Sequence, residues 1–178
     1  ERKLKHLLTL KNSPSLNKYN FEYKNDELSL IKNNEKLISI SINNLEEHSN
    51  LSNKLIELES SLLKPIFLLK NQVFPFFDTS HSNNVFNSMS LINLNSLKDF
   101  ELKINKKIEL QRFRGNFYVD GIDAWEERNW VNKTIKINNI SFQVEKNIPR
   151  CVAINLKPKT DDNSLNLLQS LKKVYNHF

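Results

Sequence analysis

A chain of 178 residues with 39% hydrophobic content carries enough apolar material for one globular domain with a buried core, which excludes a disordered tail. No run approaches the roughly 18 consecutive apolar residues of a membrane span, and the densest stretches, 66–69 and 73–77, are interrupted by Lys70 and Pro75. The net charge of +6, from 26 Lys and Arg against 20 Asp and Glu, is spread along the chain without a block of like charges. That suits a solvated basic surface and argues against nucleic acid as the main partner.

The single cysteine, Cys151, excludes an internal disulfide framework and a Cys-rich zinc site, and makes a reducing compartment, the cytoplasm, the expected location. The chain opens on Glu1 without a charged, apolar and small-residue leader, so it reads as a fragment with no signal peptide.

In chain order, residues 3–10 read as the end of a helix. Residues 19–23, 28–32 and 37–42 alternate apolar and polar side chains, and Asn33-Asn34 tolerates left-handed turn geometry, so a β-meander is predicted. Asn43 or Asn44 then precedes leucines and an isoleucine at helical spacing, from Leu51 to Leu63, which predicts an amphipathic helix stopped by Pro65. Residues 66–77 predict one or two strands broken by Pro75, and 78–84 a polar loop. A strand over 89–94 leads to a short helix capped by Asn95 or Ser96 and running to about Lys103.

Residues 113–119 alternate and end at Asp120-Gly121, while Asn138-Asn139 between 133–137 and 140–145 marks a hairpin. Residues 151–156 read as a strand stopped by Pro158, and 165–175 as a terminal helix. Strands outnumber helices and no βαβ rhythm shows. The expected fold is mainly β with helical insertions (α+β), arranged as a partly closed barrel.

The scarce residues are not evenly placed. An average chain of this length would carry about 12 glycines, yet this one has two, Gly115 and Gly121. Both tryptophans, Trp125 and Trp130, both alanines, the only cysteine and four of the five arginines also fall between 112 and 153. A chain that otherwise uses lysine keeps arginine where a planar fork of donors is hard to replace by a point charge. Read as a strand, Arg112-Phe113-Arg114-Gly115-Asn116 places two guanidinium groups and an amide on one face, a row suited to an anion with several oxygens; a solvent-facing strand is the competing reading. His6, His48, His81 and His177 are too dispersed for a metal cluster, and Asp78, Ser80 and His81 too close together for a triad. Glu126 and Glu127 are candidates for acid and base or for orienting Arg114, and the tryptophans for core or pocket wall.

The run 112–121, followed by Trp125-Glu126-Glu127, Trp130 and Arg150-Cys151, resembles the MOSC domain family, which is named for the C-terminal domain of molybdenum cofactor sulfurases and includes the amidoxime-reducing components. Ala153, Asn155, Pro158, Thr160, Leu165-Asn166 and His177 are similar to a branch of single-domain bacterial members. The resemblance implies a MOSC-like β-barrel incomplete at both ends. Residues 1–64 would be the second half of the N-terminal barrel-like region, and 65–178 the MOSC domain without its last strands. It also implies the molybdenum cofactor (molybdopterin), with Cys151 as catalytic thiolate and metal ligand. Arg112, Arg114, Asn116 and Arg150 would line the pterin and its phosphate, with Asn93 and Ser96 at further positions near it.

The implied activity is that of an oxidoreductase on N-oxygenated small molecules, fed electrons by a redox partner protein, or of a sulfur carrier using Cys151. Two other readings compete. One is a non-catalytic basic barrel that stacks single-stranded nucleic acid on Phe113, Phe117 and Tyr118; the other is a degenerate MOSC module without cofactor. Gly115 in place of a frequent proline, Arg128 after the Glu pair, Lys157 before Pro158, and Ile148 where some members have a second cysteine depart from the family pattern.

Overall fold

A computed structural model describes residues 7–69 and 88–175. The chain divides into two compact units. Residues 7–69 form the first together with 156–162; residues 88–155 and 163–175 form the second. The described elements mix α and β: three helices and three small, separate sheets. None of these sheets closes on itself among the described residues.

The first unit is the expected meander. Strands β1 (Asn20–Lys24), β2 (Glu27–Lys32) and β3 (Glu35–Ser41) pair antiparallel in chain order. Asn33 and Asn34, at φ 52° and 67°, make the turn between β2 and β3, and Asn25 and Asp26 do the same one hairpin earlier. Helix α1 (Leu45–Leu58) starts at Asn44, whose side chain accepts from the Glu46 N–H, while Glu47 reaches back to the Ser41 N–H. Its Leu51 and Leu55 pack with Tyr19, Leu30 and Ile40 into one core. The helix ends at Leu58, well before Pro65, because the next residue, Glu59, turns its carboxylate to Tyr19 Oη at 2.6 Å and Lys18 Nζ at 2.5 Å. Leu62 keeps the apolar spacing beyond the helix by being buried in a turn.

The second unit departs further from expectation. Strand β4 (Leu91–Asn93) lies parallel to β5 (Phe117–Val119), and helix α2 (Leu94–Ile104) lies on the connection between them. This is the strand–helix–strand arrangement whose rhythm the sequence did not show. Both strands are three residues long, too short to display a period. The α2 cap is Asn93 rather than Asn95 or Ser96: its Oδ1 accepts from the Asn95 N–H at 2.9 Å. The hairpin β6 (Thr134–Ile137) and β7 (Ile140–Gln143) forms around Asn138, at φ 54°, as predicted. Helix α3 (Leu167–Val174) closes the described chain, capped by Asn166. Its Leu167 and Leu171 join Phe100, Ile108 and Ile154 in a second core.

One predicted strand is shortened and another is absent: of 113–119 only Phe117–Val119 is strand, and 151–156 is none. Residues 110–113 form a 3-10 turn, Leu110–Phe113, and Arg114 follows at φ 53°. The row of Arg112, Arg114 and Asn116 on one strand face therefore does not exist. Residues 152–155 likewise form a 3-10 turn, Val152–Asn155, rather than a strand. Residues 7–12 form bends and turns rather than a helix end, and 65–69 carry no regular secondary structure. Residues 1–6, the remainder of the predicted 66–77 strands, the 78–84 loop, His6, His81 and His177 lie outside the described residues.

Candidate functional site

Where β4 runs into α2, two buried polar side chains hold a carboxylate. Asn93 Nδ2 donates to Glu127 Oε2 at 2.8 Å and to the Asp123 carbonyl. Ser96 Oγ donates to Glu127 at 2.8 Å and accepts the Trp125 N–H at 2.8 Å. The backbone makes this possible at a cost, because Trp125 sits at φ 69°, a conformation a bulky side chain rarely adopts. Its N–H bond to Ser96 and its indole bond to Asp99 at 2.7 Å fix it there.

Asp99 also receives Tyr175 Oη at 2.6 Å and Lys103 Nζ at 2.9 Å. Burial pushes the Asp99 carboxyl up, but the hydrogen bonds from Tyr175, Trp125 and Lys103 outweigh it and hold it below the usual carboxylate range.

This polar corner opens into a cavity of about 590 Å³ within the second unit, in the size range of small-molecule sites. Most of its wall is apolar or aromatic: Phe117 and Ile92 from the parallel pair, Phe142 from the hairpin, and Trp125 and Trp130. The tryptophans are pocket wall, as the sequence suggested. Phe113 also lines this cavity, and both it and Phe117 are half-buried.

Arg150 lies on the same wall, half-buried. Its Nη1 makes one long hydrogen bond, 3.4 Å, to the Phe113 carbonyl, and the guanidinium lies 5.5 Å from the Phe113 ring centroid. No carboxylate pairs with it among the described residues. Burial lowers its pKa, while negative charge on Cys151 and on the Glu127 carboxylate acts in the opposite sense. Asn116, also on the wall, accepts the Ser90 N–H at 2.9 Å and the Ser90 hydroxyl at 2.8 Å.

Of the residues expected from sequence, Asn93, Ser96, Asn116 and Arg150 thus meet at this cavity. Cys151 follows directly on Arg150 in the chain and is exposed, but it is not part of the wall. Arg112 is elsewhere. It is 3% exposed, its Nε donates to Glu109 at 2.6 Å and its Nη1 to the Asn155 carbonyl at 2.5 Å. Arg114 is exposed and outside the cavity wall, its left-handed backbone ending the 3-10 turn.

Gly115, where the family often has proline, has its own reasons. A Cβ there would approach Ile92 Cγ1 to 2.5 Å, and the Gly115 N–H, which proline lacks, donates to Tyr118 Oη. Glu127 was legible only as one of a pair. Its partners lie more than 30 positions upstream, so no local signal marked it. Among the described residues no three His, Cys, Asp or Glu side chains converge as a metal site by themselves.

The family model described as the MOSC domain matches residues 78–177, more than half of the chain. The chain belongs to the MOSC domain family. Among curated proteins it is similar to mitochondrial amidoxime reducing component 2 of Bos taurus, 28% identical over 92 residues, which are 51% of this chain and 27% of that protein. The corresponding protein of Rattus norvegicus is 33% identical over 70 residues, 39% of this chain and 20% of that protein. That of Homo sapiens is 32% identical over 65 residues, 36% of this chain and 19% of that protein. The match therefore spans about a quarter or less of those relatives' length. No solved structure matches the chain at comparable stringency. Among the described residues, no helix of this MOSC chain is long and apolar enough to cross a membrane.

Proposed function

We propose that this MOSC chain holds the molybdenum cofactor and belongs to an oxidoreductase acting on small N-oxygenated compounds. The observation that carries the reading is Arg150. A half-buried guanidinium on an aromatic cavity wall, with one 3.4 Å hydrogen bond and no ion pair among the described residues, is a seat for an anion with several acceptor oxygens. The phosphate of molybdopterin is such an anion, and the aromatic wall suits a flat ring. The residues present fit the group in three respects: cavity volume, an undersatisfied cation, and a soft sulfur donor at the next position in the chain.

In this reading the Cys151 thiolate is the protein's ligand to molybdenum. Arg150 and Asn116 hold the phosphate and pterin edge. Asn93 and Ser96 act one step back by fixing Glu127, Arg112 belongs to the framework, and Arg114 stands outside the wall as a second cation. Phe117, Trp125 and Phe142 exclude water. When bound, the cofactor supplies two-electron and oxygen-atom chemistry; a redox partner protein supplies the electrons. The β-barrel, a role for residues 1–64 as the companion N-terminal region, and a reducing compartment such as the cytoplasm, which would keep Cys151 a thiol, belong to the same reading. The exposure of Cys151 favours one alternative, a sulfur carrier whose thiol a partner can reach.

The test is elemental analysis for molybdenum and pterin fluorescence on protein made with cofactor biosynthesis intact. Wild type should carry both, and Cys151→Ser should lose molybdenum. Wild type, Cys151→Ser and Arg150→Met equally empty would end the reading.

A further inference from the structure

The segment that carries Cys151 is gripped on both sides by two consecutive residues of one short turn. Upstream of the thiol, Arg150 donates to the Phe113 carbonyl and lies against the Phe113 ring. Downstream, the Cys151 carbonyl accepts the Ile154 N–H at 3.2 Å and so starts the turn Val152–Asn155. The last carbonyl of that turn, on Asn155, is taken by Arg112 Nη1 at 2.5 Å. Arg112 has little freedom to point elsewhere: its side chain is 2% exposed, and Glu109 holds Nε at 2.6 Å. The far side of Asn155 is fixed as well, because its Oδ1 accepts the Leu168 N–H at 3.0 Å at the start of α3. Ile154 and Phe113 meet in the same core cluster, so the two turns are packed together as well as hydrogen-bonded.

We infer that Arg112 is a positioning residue: through the Asn155 carbonyl it holds the turn that begins at Cys151, and so fixes where the thiol stands relative to the preceding Arg150. The inference rests on the reading of Cys151 as the working thiol, and it reassigns Arg112 from a group that touches the cofactor to one that acts through the backbone. A buried guanidinium whose carbonyl acceptor ends a turn is a rigid strut, since leaving that carbonyl without a donor costs its desolvation. Deleting the strut frees the turn, and the thiol then loses its fixed distance from the Arg150 charge.

The experiment compares alkylation of Cys151 by iodoacetate, an anion, and iodoacetamide, its neutral analogue, on the full chain under native conditions. No cofactor is required, because the ratio of the two rates reads the positive charge beside the sulfur. In wild type the ratio should exceed that of Arg150→Met by roughly threefold, the order of effect that one unit charge several ångströms from the reacting atom exerts through water. Arg112→Met should bring the ratio down to the Arg150→Met value, and Arg112→Lys should restore part of it. Leu55→Ala, which weakens the core of the first unit and touches no residue of the clamp, should leave the ratio unchanged.

Should Arg112→Met fail to fold, Glu109→Gln is the second variant: it keeps the shape, removes the charge that orients Arg112, and should lower the ratio in the same direction. A folded Arg112→Met or Glu109→Gln with the wild-type ratio overturns the inference. An unchanged ratio in Arg150→Met, by contrast, overturns the pairing of Arg150 with Cys151 on which the proposed function rests.

Discussion

Two charged side chains, Glu59 in the first unit and Arg150 in the second, are held in opposite ways. In the first, Glu59 is 6% exposed and fully engaged: Tyr19 and Lys18 both donate to it, and Lys18 reaches Asp161 at 3.4 Å. Burial pushes the Glu59 carboxyl up, yet the hydrogen bonds from Lys18 and Tyr19 and the charges of Lys18 and Lys32 bring it below the usual range. In the second unit Arg150 is half-buried on a cavity wall with a single long hydrogen bond. Closed charge of the first kind holds a fold together. A cation of the second kind, with no ion pair among the described residues, is the arrangement the proposed function builds on.

The contrast can be broken by substitution. Glu59→Ala leaves Lys18 and Tyr19 without their shared acceptor and should cost about 3 kcal/mol in urea unfolding. Because Glu59 titrates lower folded than unfolded, its contribution is complete above the unfolded value of about 4.3 and is lost as the pH falls through and below it. The gap between wild type and Glu59→Gln should therefore close as the pH drops from 7 to about 3. Asn93→Ala removes the α2 cap and one of the donors to Glu127, and should cost about 2 kcal/mol in the same measurement. Arg150→Met should move stability by no more than about 0.5 kcal/mol, because the one hydrogen bond it loses is long, 3.4 Å. A large loss there would place Arg150 with Glu59 as framework and dissolve the comparison.

Much of the first unit was legible because each element carries its own period. Alternation in β2 and β3 and the asparagine pair between them specify a hairpin without help from distant residues, and α1 announces its start with Asn44 and its face with Leu51 and Leu55. The second unit was legible in parts. Its hairpin, α3 and both tryptophans fell where the residues indicated, but the stretches around Arg112 and Cys151 alternate like strands while folding as 3-10 turns.

A signal for the first of these was present and outweighed. Glu109 and Arg112 stand three apart, the spacing of a helical ion pair, and they form one at 2.6 Å. The parallel pairing of β4 with β5 and the seat of Glu127 depend on contacts across more than 20 positions, which no window of sequence displays. For the candidate site, four of the residues named from the family likeness, Asn93, Ser96, Asn116 and Arg150, share a cavity, and Cys151, Arg112 and Arg114 are not part of its wall. The likeness could not separate Arg150, which faces that cavity, from Arg112, which is spent on Glu109 and a backbone carbonyl.

The central claim is that Arg150 supplies the open positive charge for an anionic pterin. Titration of molybdopterin onto wild type and Arg150→Met, followed by quenching of the cavity tryptophans Trp125 and Trp130, tests it most directly. Loss of a charge-assisted hydrogen bond should weaken binding by about tenfold or more in Arg150→Met. Equal affinity in the two proteins, or no quenching in either, would contradict the account.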